Sequence, residues 1–104
     1  MSDFFMTRNE FLKLMHFPAE WDTLGMYPQQ VAQIQIEHYQ PGDERAPEHY
    51  RNGAFHWWLR MGPTRRQVEH LRQLAKLDPD PFLGQDMIGY LDDPTRSPGY
   101  AVRD

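Results

Sequence analysis

The sequence predicts an all-α fold: a compact bundle of four to five short helices, with one long polar loop and a disordered C-terminal tail. Three observations carry this. Apolar residues recur at helical spacing in several segments. Ser/Thr/Asp caps, first-position prolines and terminal glycines or prolines bracket those segments. The chain has 104 residues, 13% of them aromatic, enough large side chains to fill the core of one ordinary domain. Residues 1–93 are therefore read as a single helical domain and residues 94–104 as a flexible tail, because the tail is rich in proline and poor in apolar residues.

The first helix is expected over residues 8–16. Thr7 and Glu10 stand at the two positions of a capping box, and Met6 and Phe11 at those of a hydrophobic staple. Phe11, Leu12, Leu14 and Met15 fall on one side of the 3.6-residue period, and Pro18 disfavours helical backbone at Phe17. One or two further turns follow Pro18 and close at Gly25, with Trp21 as a core anchor. Residues 29–39 fit two patterns. As a helix, Val31, Ile34, Gln35 and His38 share a face; as a strand, Ala32, Ile34, Ile36 and His38 alternate with polar residues. The Gln, Ala and Glu content and the opening Pro28 favour the helix. Residues 40–52, with two prolines, a glycine and many charges, read as the long polar loop.

Residues 53–91 organise the rest. Trp57 and Trp58 would point about 100° apart on a helix, so at most one can face the core centre squarely. Both are expected in the core or at its edge; the alternative leaves one half exposed beside Arg60 and His56 as an interface anchor. Gly62 and Pro63 break the helix, and Thr64 caps the next one, over 64–77. There Val68, Leu71, Leu74 and Ala75 form an inward stripe, while Arg65, Glu69, Arg72 and Lys76 face water. Pro79 ends this helix. Asp80 caps the last one, Pro81 takes its first position, and Leu83, Met87, Tyr90 and Leu91 give its buried face up to Pro94. Gly84 and Gly89 either weaken it or allow a neighbour to approach closely.

Charge and composition narrow the chemistry. The net charge is −4, yet residues 60–76 hold five basic residues against one acid, so that segment is +4 and the remainder −8. One positive strip is expected on a negative body. The lack of cysteine removes disulfides, thiolate metal sites and cysteine nucleophiles, and fits a reducing cytoplasm. The first six residues lack the basic and apolar regions of a secretion signal. Serine occurs only at Ser2 and Ser97, neither in a nucleophile elbow. His16, His38, His49, His56 and His70 lack metal-binding spacing, and the Asp78–Asp80 pair opens no calcium loop, because Gly89 stands where a bidentate Glu is required. No phosphate-cradling glycine motif occurs. No cofactor or metal is expected.

The functional expectation is a non-enzymatic protein–protein interaction domain, of a kind that includes neutralising, immunity-type partners of another protein. Its binding face would join residues 40–52 to the outer face of helix 64–77, with Tyr50, Arg51, Arg65 and Arg72 as anchors. The alternative is a nucleic-acid-binding protein that uses helix 64–77 in a helix-turn-helix-like arrangement, with Arg65, Arg66, Gln67 and Arg72 as readers. A catalytic role would require a deep pocket that gathers His38, His49 or His56 with carboxylates.

Overall fold

A computed structural model describes residues 6–103. The first five residues, including Ser2 and most of the segment read as lacking a secretion signal, lie outside the described residues. Six α-helices follow in order: α1 (Arg8–Leu14), α2 (Ala19–Thr23), α3 (Gln29–His38), α4 (Ala46–Arg60), α5 (Arg65–Lys76) and α6 (Pro81–Asp92), then a 3-10 turn at Pro94–Arg96. Among the described residues β-pairing is confined to an isolated parallel bridge between Thr64 and Arg103. No described helix is long and apolar enough to cross a membrane. The body measures 43 × 25 × 23 Å.

The fold class is as expected, but the helices number six instead of four to five. Most of the predicted polar loop is helix. Pro47 sits in the first turn of α4, where a missing N–H costs no hydrogen bond, so the proline that resembled a loop marker starts a helix. Only residues 39–45 connect α3 to α4.

Local signals set most boundaries. The capping boxes of Thr7 with Glu10 and of Thr64 with Gln67 are both formed, and the Asp80 carboxylate accepts from the Phe82 and Leu83 N–H groups. Helix α1 ends in a paired cap, Phe17 N–H to Leu12 O and His16 N–H to Lys13 O, with His16 at φ 61° in the left-handed region where glycine is usual. Helix α2 closes identically on Gly25 at φ 76°. The ambiguous third segment is helical, with Val31, Ala32 and Gln35 inward and Ile34 exposed.

The core has two parts. One gathers Trp21, Leu24 and Met26 with Phe55, Trp58, Leu59, Val68, Leu71, Leu83 and Met87. The other gathers Phe11, Met15, Tyr27, Val31, Ala32, Ala46 and Ala54. Helix α4 runs through both, and Phe17 touches both. Helices α5 and α6 form the tightest pair. Gly84 is required there, since a Cβ would collide with the Ala75 carbonyl oxygen. Trp58 is buried and donates from Nε1 to Leu24 O at 2.9 Å, whereas Trp57 is 39% exposed with Arg60 stacked 4.9 Å from its ring. The half-exposed alternative therefore describes Trp57.

The C-terminal segment, expected to be disordered, lies along the α4–α5 corner. Ala101 N–H donates to Leu59 O at 2.8 Å, Arg103 N–H to Pro63 O at 2.7 Å, and Arg65 N–H to Arg103 O at 2.8 Å. Ser97 is buried and Val102 packs on the first core part. Its few apolar atoms and its backbone pairing supply what its composition did not suggest.

Arg51 and Asp78 form an ion pair with side chains only 3% and 1% exposed. Both Arg51 Nη atoms bond the carboxylate, Nη1 to Oδ1 at 3.0 Å. Removing one partner strands a buried charge, so Asp78→Asn is expected to cost about 3–5 kcal/mol of unfolding free energy, and the Arg51→Met/Asp78→Leu double variant less than the sum of its single changes. Urea titration of Asp78→Asn, Arg51→Met, Asp78→Leu and the double variant checks this; a loss under 1 kcal/mol for Asp78→Asn would contradict it.

Candidate functional site

The four sequence-predicted anchors do not form one face. Arg51 is 2% exposed, and its guanidinium lies 4.6 Å from the Trp21 ring as well as against Asp78, so it is an internal residue and no partner anchor. It was misplaced because the segment around it read as a solvated loop. Tyr50 is half-buried in the second core part, edge-on to Phe11 at 5.5 Å and to Tyr39 at 6.2 Å. Burial, and then the Asp43 charge, raise its phenol above the ordinary 10.0. Arg65 and Arg72 share the outer face of α5 and line a groove with Leu91, Pro94, Tyr100 and Val102. Arg72 is committed within the chain: it pairs with Glu69 at 3.1 Å and with Asp92, and donates to Leu91 O.

The helix-turn-helix readers fare similarly. Gln67 Oε1 accepts from Thr64 N–H at 2.8 Å and is consumed by the cap. Exposed Arg60, Arg65, Arg66 and Arg103 collect around the α4–α5 corner, where Arg103 Nε donates to Gly62 O and the Arg60 chain packs beside Gly99.

A different surface stands out at the opposite end of the α5–α6 pair. Leu77 is 82% exposed and Phe82 is 79% exposed, flanking the turn that holds Asp78, Pro79 and Asp80. That turn is fixed from inside. Asp78 Oδ1 accepts from Arg51 Nη1 and from Asp80 N–H at 2.9 Å, and Asp80 in turn caps α6. Next to Phe82 an open groove of about 850 Å³ runs between the start of α6 and the first turns of α4. Asp43, Glu48 and Asp86 line it, with Arg45, His49 and Asn52. The Asn52 Oδ1 is buried without a hydrogen-bond partner. Neither Leu77 nor Phe82 was singled out from sequence, although a signal existed. Phe82 lies about 100° from Leu83 on the α6 wheel, off the buried stripe, and Leu77 lies past the last turn of α5.

The histidines do not converge. His49 lines the open groove, the His38 Nδ1 lies 2.9 Å from Ile34 O, and the His56 Nδ1 lies 2.7 Å from the buried Ser97 Oγ. Among the described residues no group of three or more His, Asp or Glu side chains is placed to hold a metal ion. His56 also meets the Tyr90 ring edge-on at 4.7 Å, and Arg96 stacks on the other partner of that contact, 5.0 Å from the Tyr90 ring centre. Compared with protein-family models, with curated proteins and with solved structures, the chain matches none.

Burial lowers the His56 pKa from its ordinary 6.5, with Asp86 opposing and Arg60 adding to the shift. The folded state thus binds a proton at His56 less readily than the unfolded chain does. The contribution of neutral His56 is fully present above pH 6.5 and is lost as pH falls from there through the lowered folded value. Thermal unfolding between pH 7.5 and 5 should therefore fall more steeply for the wild type than for His56→Gln, and parallel curves would assign the acid sensitivity to other groups.

Proposed function

We propose that this chain is a non-catalytic protein-association domain, acting in the cytoplasm, whose recognition surface is the α5–α6 turn and the groove beside it. One observation carries the reading: Leu77 and Phe82 stand almost wholly in water on a turn held from behind by a buried ion pair. A partner that covers them gains apolar burial of roughly 25 cal/mol per Å². Little ordering entropy is lost, because the turn is already fixed. The carboxylates along the groove support a role as a neutralising or inhibitory partner of a more basic protein. His49 does share the groove with Asp43, Glu48 and Asp86, but the groove is open to solvent, whereas a catalytic reading needs a deep pocket.

A protein that co-purifies with the tagged wild type from its own host should be lost about tenfold or more with Phe82→Ala or Leu77→Ser. Far-UV circular dichroism and melting temperature should stay unchanged, since neither side chain is buried. Equal capture by both variants would move the interface elsewhere.

A second reading, nucleic-acid binding through α5, draws support from the gathering of Arg60, Arg66 and Arg103 at the α4–α5 corner. It predicts retention of random duplex at low salt that weakens as salt rises and disappears in Arg66→Glu/Arg103→Glu. No retention at low salt would remove it.

A further inference from the structure

We infer that the groove beside Phe82 receives an arginine-bearing basic segment of a partner protein, an inference that rests on the association reading and names its partner chemistry. The groove brings Asp43, Glu48 and Asp86 together from the α3–α4 connection, from α4 and from α6, with Arg45 as the one fixed positive charge among its lining residues. Asp43 is partly used, accepting from Arg45 N–H at 2.9 Å. Glu48 and Asp86 stand exposed on facing helices, and among the described residues neither forms an ion pair.

Phe82 forms an adjoining wall, 79% exposed. A planar cation can lie on such a ring while its N–H groups reach carboxylates, which suits guanidinium better than ammonium. Asn52 also lines the groove, and its Oδ1 is buried beneath the surface without a donor. The chain carries net −4, so a second copy is repelled overall while a basic partner is attracted and steered. A volume of about 850 Å³ accommodates a short segment and not merely one ion.

The test uses the full chain, ¹⁵N-labelled, and three blocked hexapeptides that differ only in carrying two arginines, two lysines or two glutamates. The arginine peptide should shift amide signals within residues 43–52 and 81–86, bind more tightly than the lysine peptide, and leave the spectrum untouched in its glutamate form. Phe82→Ala should weaken it roughly two- to fivefold. Glu48→Gln/Asp86→Asn should weaken it further and flatten its salt dependence, while Arg66→Glu changes neither location nor ranking. Shifts confined to other surfaces, equal binding of the glutamate peptide, insensitivity to the groove variants, or concentration-dependent shifts without peptide, as a second copy would give, each overturn the inference. Loss of a native partner in Phe82→Ala alongside failure of the arginine peptide would remove this inference and leave the association reading standing.

Discussion

The Arg51–Asp78 pair is the constraint on which the α5–α6 end depends. A guanidinium and a carboxylate can stay out of water only if each remains against the other, because either charge alone costs several kcal/mol in the interior. Arg51 comes from the middle of α4, Asp78 from the turn after α5, and the Trp21 ring of α2 covers the guanidinium. The pair thus requires three elements to be in place at once. From Asp78 the bonding continues to Asp80 N–H and from the Asp80 carboxylate to the first turn of α6, so one line of hydrogen bonds runs from the core to the surface turn.

That line gives Arg51 a structural part beneath the proposed recognition surface, different from the exposed anchor its sequence suggested. Buried at 2% exposure, it holds from inside the segment on which Leu77 and Phe82 stand. A fixed turn with exposed apolar side chains is a better docking element than a mobile one, since less freedom is lost when it is covered. The charge segregation has a comparable origin. Helix α4 ends at Arg60, close to the basic corner, and begins beside the acidic groove, so the polarity of the surface follows the length of one helix. The exposed cations of α5 add to the corner, although Arg72 is largely neutralised by Glu69 and Asp92.

What was legible in the sequence was local. Thr7 with Glu10, Thr64 before α5 and Asp80 before α6 act within three residues of themselves, and their caps formed as read. The buried stripes of α5 and α6 were equally visible, because periodicity is a property of a single segment. The site was not legible in this way. The partner of Arg51 is 27 positions away, and nothing near Arg51 announces it. Pro47 carries opposite meanings in a loop and in a first turn, and only the packing of Ala46 and Ala54 in the second core part decides between them. The backbone pairing of Arg103 with Pro63 and Arg65 is a long-range contact that composition cannot reveal.

The division of the core into two parts has a dynamic consequence. Helices α1 and α3 pack chiefly on each other and on the first half of α4, while α5 and α6 close on its second half. Helix α4 is the spine common to both core parts, and Phe17 joins them. Transient opening of the α1–α3 layer would uncover Phe11, Val31 and the Tyr27–Gln35 hydrogen bond, yet leave the α5–α6 hairpin and its presented turn intact. The α5–α6 turn with Leu77 and Phe82 would then keep its geometry, while the groove wall formed by Asp43 and Arg45 would move with the end of α3.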